Sequence, residues 1–170
     1  MIVRGATVAD APAIGEVHVA SWRRAYRGLM PDALLDGLDP VERAAAWRKR
    51  IAGGVTVLVA EIEGLVRGFA ALGPIRDPDL LGTTELYALY LAPPVWRRGL
   101  GRTLLAAAVA GQGPVALWVL AENQRARRFY EATGFVADGA ARRKDFGGRA
   151  VEEVRYMFRP PSTSMVRPLK

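Results

Sequence analysis

Two hydrophobic rhythms alternate along this chain, one near the helical 3.6 and one at the strand period of 2. Residues 2–5 form a short β-prone run. Ile14, Val17, Ser21 and Ala25 then recur at three- and four-residue intervals, one stripe of a helix reaching about Tyr26. Thr7 stands as its N-cap with Asp10 three residues on, a capping box with Asp in place of the usual Glu or Gln. Gly28 and Pro31 break that helix. Leu34, Leu35, Leu38, Ala44 and Trp47 mark a second helical region over 31–51, split near Asp39-Pro40 into two short helices.

The rhythm then shifts. After the Gly53-Gly54 turn, 55–62 and 65–72 are β-rich and meet at Glu63-Gly64, a hairpin signature. A loop with Pro74 and Pro78 leads to a strand over 84–92 and a helix from about Gly99 to Gly111. Residues 115–120, VALWVL, are apolar without alternation, as in a central strand buried on both faces. Asn123 is a good N-cap for a helix over 124–133, and Gly134 a good residue to end it. Residues 135–144 and 150–158 form a last hairpin. The order β-α-α-β-β-β-α-β-α-β-β does not alternate strand and helix, which disfavours a doubly wound sheet.

Composition narrows the chemistry. The chain has 170 residues and 51% hydrophobic content, enough for one domain over 1–159. The tail 160–170 holds Pro160, Pro161 and Pro168 and is expected to be disordered. There is no cysteine, which excludes disulfides and thiolate catalysis, and His18 is the sole histidine, so no metal is expected. No run nears the ~18 apolar residues of a membrane span, and no signal-peptide pattern opens the chain, so a cytoplasmic protein without membrane partners is expected. The formal charge is +7, carried mostly by arginine, with lysine only at Lys49, Lys144 and Lys170. That pattern fits base-composition bias or a phosphorylated cofactor as well as a polyanion, and nucleic acid is not the expected partner.

Residues 85–102, ELYALYLAPPVWRRGLGR, carry the most information. A β run stops at Pro93-Pro94, and two arginines and a Gly-x-Gly pair lead straight into a helix. Unpaired N–H groups at a helix start, with the positive end of its dipole, bind phosphate or pyrophosphate. Gly99 and Gly101 lack a Cβ and let a ligand oxygen approach the backbone. An ordinary tight helix start, with solvated Arg97, Arg98 and Arg102, is the plainer reading of the same residues.

Together with a second motif, N-x-x-A-x-x-F-Y-E-x-x-G-F from Asn123 to Phe135, and with the C-terminal hairpin, this stretch resembles the GNAT acyl-CoA N-acyltransferase superfamily over residues 1–158. The resemblance implies an α+β fold: a mixed, mostly antiparallel sheet of six to seven strands with splayed central strands and about four helices. It implies acetyl-CoA, or another short acyl-CoA, as co-substrate in the opening between the strands at 85–92 and 115–120. Pantetheine would pair with the main chain near Leu89 and Leu91, and pyrophosphate would rest on N–H groups from Arg97 through Arg98, Gly99, Leu100 and Gly101 to Arg102. Asn123 would bridge to the CoA arm while capping its helix. Tyr130 would be the general acid for the departing thiolate, and Glu85 the general base at the register some members use. By period two, Glu85, Tyr87, Leu89 and Leu91 share a strand face unless a bulge breaks it. One departure stands out: where the family's loop begins with Gln or Arg, this chain has Trp96.

The acceptor pocket falls by the same resemblance to the first helices, where His18, Trp22 and Tyr26 occupy one face. Each is also a reasonable core residue. His18 could act as a base or hold the substrate. The chain thus reads as an N-acetyltransferase acting on a primary amine, of a small molecule, by direct attack in a ternary complex. A non-catalytic acyl-CoA-binding module and a basic nucleic-acid-binding protein are the rivals. Exposed edge strands in the last hairpin would allow a homodimer.

Overall fold

The structure, a computed structural model, describes residues 1–161; all but the first two residues of the expected disordered tail lie outside them. Seven strands, β1 (Ile2–Gly5), β2 (Thr56–Ile62), β3 (Leu65–Pro74), β4 (Thr84–Leu91), β5 (Val115–Leu120), β6 (Val136–Phe146) and β7 (Arg149–Phe158), form one sheet in the order β1-β2-β3-β4-β5-β7-β6. Five α-helices cover it: α1 (Ala11–Ala25), α2 (Asp32–Asp36), α3 (Pro40–Ala52), α4 (Leu100–Val109) and α5 (Gln124–Glu131). The chain between α1 and β2 divides at Asp39-Pro40 into two helices, as the sequence leads one to expect. Pro at the first helical position is tolerated there, and the Asp39 carboxylate accepts the Val41 N–H at 2.8 Å to start α3.

Local chemistry explains the main boundaries. Glu63 and Gly64 both take positive φ, 52° and 76°, as a two-residue hairpin turn requires. The Asp10 carboxylate accepts the Thr7 N–H at 2.8 Å, yet a 3-10 turn over Val8–Asp10 precedes α1, which starts at Ala11.

All strand pairs are antiparallel except β4–β5. That parallel pair is brief: only Thr84 with Val115 and Glu85 with Ala116 are in register. Beyond Glu85 the two strands separate, and the sheet opens as a V between them.

The sheet packs on both faces. Leu72, Leu86, Leu104, Leu117, Phe135 and Tyr156 pack together beneath α4 and α5. Ile14, Val17, Trp47, Val59, Phe69 and Ala88 pack together beneath α1 and α3. A β-bulge in β4 changes which residues face which layer. Ala71 pairs with Ala88 and Leu72 with Leu86, leaving Tyr87 without a partner. Leu86 and Leu89 therefore pack on the α4/α5 side, while Tyr87, Ala88 and Tyr90 pack on the α1/α3 side. The bulge breaks the face that Glu85, Tyr87, Leu89 and Leu91 would otherwise share: Leu89 packs on the α4/α5 side, whereas Tyr87 and Leu91 pack with Tyr90 on the α1/α3 side. Gly73 on β3 makes room, since a Cβ there would lie 2.5 Å from the Tyr87 ring.

Candidate active site

The V opens into a cavity of about 1390 Å³ bounded by α1, α3, β4, β5, α5 and the loop before α4. Its volume exceeds the few hundred to 1,000 Å³ typical of pockets for one drug-sized molecule and leaves room for two ligands.

One end is a cradle of backbone donors. Arg97 and Gly99 take positive φ, 64° and 77°, and α4 starts at Leu100. Among the described residues, the backbone N–H groups from Arg97 to Gly101 find no carbonyl partner in the turn and cap hydrogen bonds, whereas Arg102 N–H already returns to the Gly99 carbonyl at 3.0 Å. Consecutive free N–H groups at a helix start make an anion site. The two glycines have different jobs. A Cβ at Gly99 would meet nothing within 4 Å, so its glycine serves the left-handed backbone. A Cβ at Gly101 would lie 3.1 Å from the Leu91 side chain and 3.3 Å from the Phe129 ring, so that glycine lets α4 lie close to β4 and α5. Arg97, Gly99, Gly101 and Arg102 line the cavity; Arg98 and Leu100 do not.

Trp96 performs two tasks that a Gln or Arg could not combine. Its indole Nε1–H donates to the Leu91 carbonyl at 2.7 Å, and the Arg125 guanidinium lies over its ring, 3.7 Å from the centroid. One lone pair of the Leu91 carbonyl is thus occupied within the chain. Asn123 caps α5 by accepting the Ala126 N–H at 3.1 Å, and it also lines the cavity.

Deeper in the V stand Tyr130 and Glu85. The Tyr130 ring packs against Phe129 and Phe135, with centroids 5.3 and 5.6 Å away, and burial pushes its phenol pKa well above the usual value. Glu85 is 1% exposed at the fork where β4 and β5 part. Its carboxylate accepts the Arg76 backbone N–H and Nε–H, both at 3.1 Å, and pairs with Arg76 Nη2 through its other oxygen. Glu153, the other acid lining the cavity, is bound by Arg142 at 2.7 Å. Glu131 lies outside the cavity and accepts the Tyr156 hydroxyl at 2.7 Å, a packing role.

The third region is aromatic. His18 and Trp22, on successive turns of α1, and Tyr26, the residue that caps its C-terminus, meet Tyr90 from β4 and Phe146 from β6. Ring centroids lie 5.2 Å apart for His18–Trp22, 5.3 Å for His18–Tyr90, 5.0 Å for Trp22–Tyr26 and 6.2 Å for Trp22–Phe146. His18 Nδ1 accepts the Trp47 indole N–H at 3.0 Å. Burial, reinforced by the Arg43 and Arg50 charges, pushes the imidazole pKa down to about 3. Tyr90, Arg43, Arg50 and Arg125 also line the cavity and escape the sequence reading. The one signal for Tyr90 was its spacing from Ala88 and Ala92, which the bulge makes meaningful.

The structure therefore gathers Tyr130, Glu85, Asn123, Leu89, Leu91, the glycine loop and the three α1 residues around one opening. Its parts are a donor loop for an anion, a splayed strand edge for an extended arm, and an aromatic pocket beyond. The sequence model described as the acetyltransferase (GNAT) family matches residues 19–135. An uncharacterized N-acetyltransferase, YuaI, of Bacillus subtilis (strain 168) is 38% identical over 126 residues, 71% of this chain and 72% of its own. The L-amino acid N-acyltransferase MnaT of Escherichia coli (strain K12) is 29% identical over 80% of both chains. The PaiA N-acetyltransferase of Thermoplasma acidophilum, solved in complex with coenzyme A, shares the fold at TM-score 0.73 and 21% identity, over 94% of this chain and 98% of that one. The strand order, the split between β4 and β5 and the family match together place this chain in the acetyltransferase (GNAT) family, as an acyl-CoA-dependent N-acyltransferase.

Proposed function

We propose that the protein transfers an acetyl group from acetyl-CoA to the primary amine of a small molecule, by direct attack with both substrates bound. The observation that carries this reading is the parting of β4 from β5 immediately after Glu85, with the free N–H groups of residues 97–101 at one end of the opening and Tyr130 within it. Acetyl-CoA, when bound, supplies an activated acyl thioester. The loop N–H groups hold its pyrophosphate, and Arg97, Arg102 and Arg125 add positive charge. Backbone groups of Leu89 and Leu91 on the open edge of β4 align the pantetheine arm as an added strand, and an N–H there polarises the thioester carbonyl. Asn123 contacts the same arm from the α5 side.

Tyr130 donates its phenolic proton to the departing thiolate sulfur. Burial keeps that phenol protonated at neutral pH, the state a general acid needs. Glu85 takes the proton of the attacking amine, directly or through water. Arg76 fixes the orientation of that carboxylate through its backbone N–H and guanidinium. The amine enters past Trp22 and Tyr26. The name of the relative MnaT, an L-amino acid N-acyltransferase, supports a small acceptor.

The test is calorimetry with acetyl-CoA and free CoA on the wild type and on Gly99→Glu, followed by a thiol-release screen of amines. Binding that is lost in Gly99→Glu, with turnover of some amine, is the expected result. Absence of binding would sink the proposal. Binding with no turnover across amino acids, polyamines and aromatic amines would make the protein an acyl-CoA-binding module.

A further inference from the structure

One buried arginine holds the loop between β3 and β4. Arg155 stands on β7 with its side chain 8% exposed, ringed by three aspartates from two segments of the chain. Its Nε–H donates to Asp138 at 2.6 Å. Nη1 donates to Asp77 at 3.1 Å and to Asp79 at 2.9 Å, and Nη2 donates to Asp79 at 2.7 Å. Asp77 and Asp79 belong to the loop and Asp138 to β6, where the register with β7 is irregular between Ala137 and Ala141. Asp77 also accepts the Trp118 indole N–H at 2.9 Å, and Trp118 is the direct partner of Arg155 across the β5–β7 pair. The donors of a guanidinium are rigid and coplanar, so they fix the direction of every carboxylate they reach.

Arg155 and its three aspartates do not line the cavity, whereas Trp118, Arg76 and Glu85 do. What the cluster can reach is the residue before Asp77. Among the described residues, Arg76 supplies all the hydrogen bonds to the Glu85 carboxylate, from its backbone N–H, Nε–H and Nη2. The Arg76 side chain is itself 62% exposed, and its backbone lies between the end of β3 at Pro74 and the 3-10 turn Pro78–Leu80, in no regular element. Alone, an exposed arginine on irregular backbone would not hold a carboxylate in one place. Its two neighbours do the holding. Ile75 is buried with Ala116 of β5 and Met157 of β7, and Asp77 is bound by Arg155 and Trp118.

We infer that Arg155 is a positioning residue for the transfer: through Asp77 and Asp79 it clamps the loop that carries Arg76, and so aims the Glu85 carboxylate at the fork where the amine loses its proton. This rests on the reading of Glu85 as the base given above. Arg155 touches no substrate in this role and acts only through the loop.

The experiment uses Asp77→Ala, which removes both side-chain bonds nearest Arg76, and Arg155→Lys, which keeps the charge and loses the fork. Each is made in the wild type and in Glu85→Gln. The kcat, the KM for the best amine of the screen above and the Kd for acetyl-CoA are measured at pH 7. Expected is a fall in kcat of about tenfold for Asp77→Ala and about fivefold for Arg155→Lys, with KM changed less than about threefold and Kd unaltered. In the Glu85→Gln background the same substitutions should change kcat less than about twofold, since no carboxylate base is left to aim. A merely structural role would lower kcat by the same factor in both backgrounds. Amide hydrogen exchange reads the clamp without turnover: the Arg76 backbone N–H, bonded to Glu85 in the wild type, should exchange at least about tenfold faster in Asp77→Ala. If Arg155→Lys does not fold, Asp77→Ala carries the test. A kcat for Asp77→Ala within threefold of wild type, equal losses in both backgrounds, or an unchanged Arg76 exchange rate would overturn the inference while leaving Glu85 as the base. A Glu85→Gln enzyme whose own kcat stays within threefold of wild type would instead overturn the base assignment, and the clamp with it.

Discussion

Arg125 lays its guanidinium over the ring of Trp96, 3.7 Å from the centroid, joining α5 to the loop before α4 across the V. Burial together with the charges of Arg97 and Arg24 holds the Arg125 pKa below the usual guanidinium value. Three cations so placed are relieved by an anion. Trp96 keeps Arg125 at the loop and ties off the Leu91 carbonyl at 2.7 Å. Trp96→Ala is expected to weaken acetyl-CoA binding about three- to tenfold, on the order of 1 kcal/mol, the scale of a partly exposed cation–π contact. Calorimetry at two salt concentrations checks this; an unchanged Kd would leave Trp96 as packing alone.

Tyr130→Phe removes one oxygen from a ring that keeps its contacts with Phe129 and Phe135. The fold should be unaffected. The expected outcome is a fall in kcat of about 10²–10³, the usual scale for a positioned general acid, with acetyl-CoA affinity unchanged. Stopped-flow thiol release decides it: a kcat within threefold of wild type would remove Tyr130 from the chemistry.

Gly99 and Gly101 should separate cleanly under alanine substitution. Gly99→Ala forces a Cβ onto a φ of 77°, at a cost of about 1–2 kcal/mol, and loosens the loop that offers its N–H groups. Its main effect should be on acetyl-CoA affinity. Gly101→Ala presses a methyl against Leu91 and the Phe129 ring at 3.1–3.4 Å, so it should lower Tm by several degrees through overpacking. Thermal melts with and without acetyl-CoA distinguish the two; identical profiles would contradict this division.

What the sequence reveals here is what local chemistry sets. The Gly-x-Gly loop, the Asn123 cap and the unbroken apolar run of β5 are written in neighbouring residues, and all three stand where the periodicity puts them. The phase of β4 is different. It depends on the room Gly73 leaves on β3 for Tyr87, a contact 14 residues apart in sequence that pattern counting on one strand does not register. The pocket wall is the same kind of case. The imidazole lone pair of His18 is taken by Trp47, 29 residues away, and no motif links the two.

Glu85 and Arg76 make the base assignment testable. Arg76→Ala leaves a 1%-exposed carboxylate without the guanidinium that orients it, so kcat at pH 7 should fall about tenfold while the Kd for acetyl-CoA stays unchanged. In Glu85→Gln, activity at pH 7 should fall tenfold or more and recover partly at high pH, where the free amine needs no base. A kcat within threefold of wild type in both variants would exclude Glu85 as the base.

His18 also predicts how stability changes with pH. Its pKa is about 3 in the folded protein against 6.5 for an ordinary histidine, with burial the largest cause. Above about pH 6.5 neither the folded nor the unfolded imidazole is protonated. As pH falls below that value the unfolded chain takes up a proton that the folded protein refuses, so the unfolded state gains and stability drops. The slope approaches about 1.4 kcal/mol per pH unit and persists until the folded imidazole titrates. Asp10, held at about 2 chiefly by its hydrogen bonds from Arg4, adds a smaller loss below its ordinary 3.8, and Asp36 and Asp79, held low by Arg27 and Arg155, act in the same acidic range. Urea unfolding from pH 7 down to about pH 5.5, above the carboxylate range, therefore isolates His18. The wild type should lose stability across that window, while His18→Phe, less stable at pH 7 because the Trp47 indole loses its acceptor, should be nearly flat. Equal slopes in the two proteins would mean that His18 is protonated in the fold, and its Nδ1 could then no longer accept from Trp47.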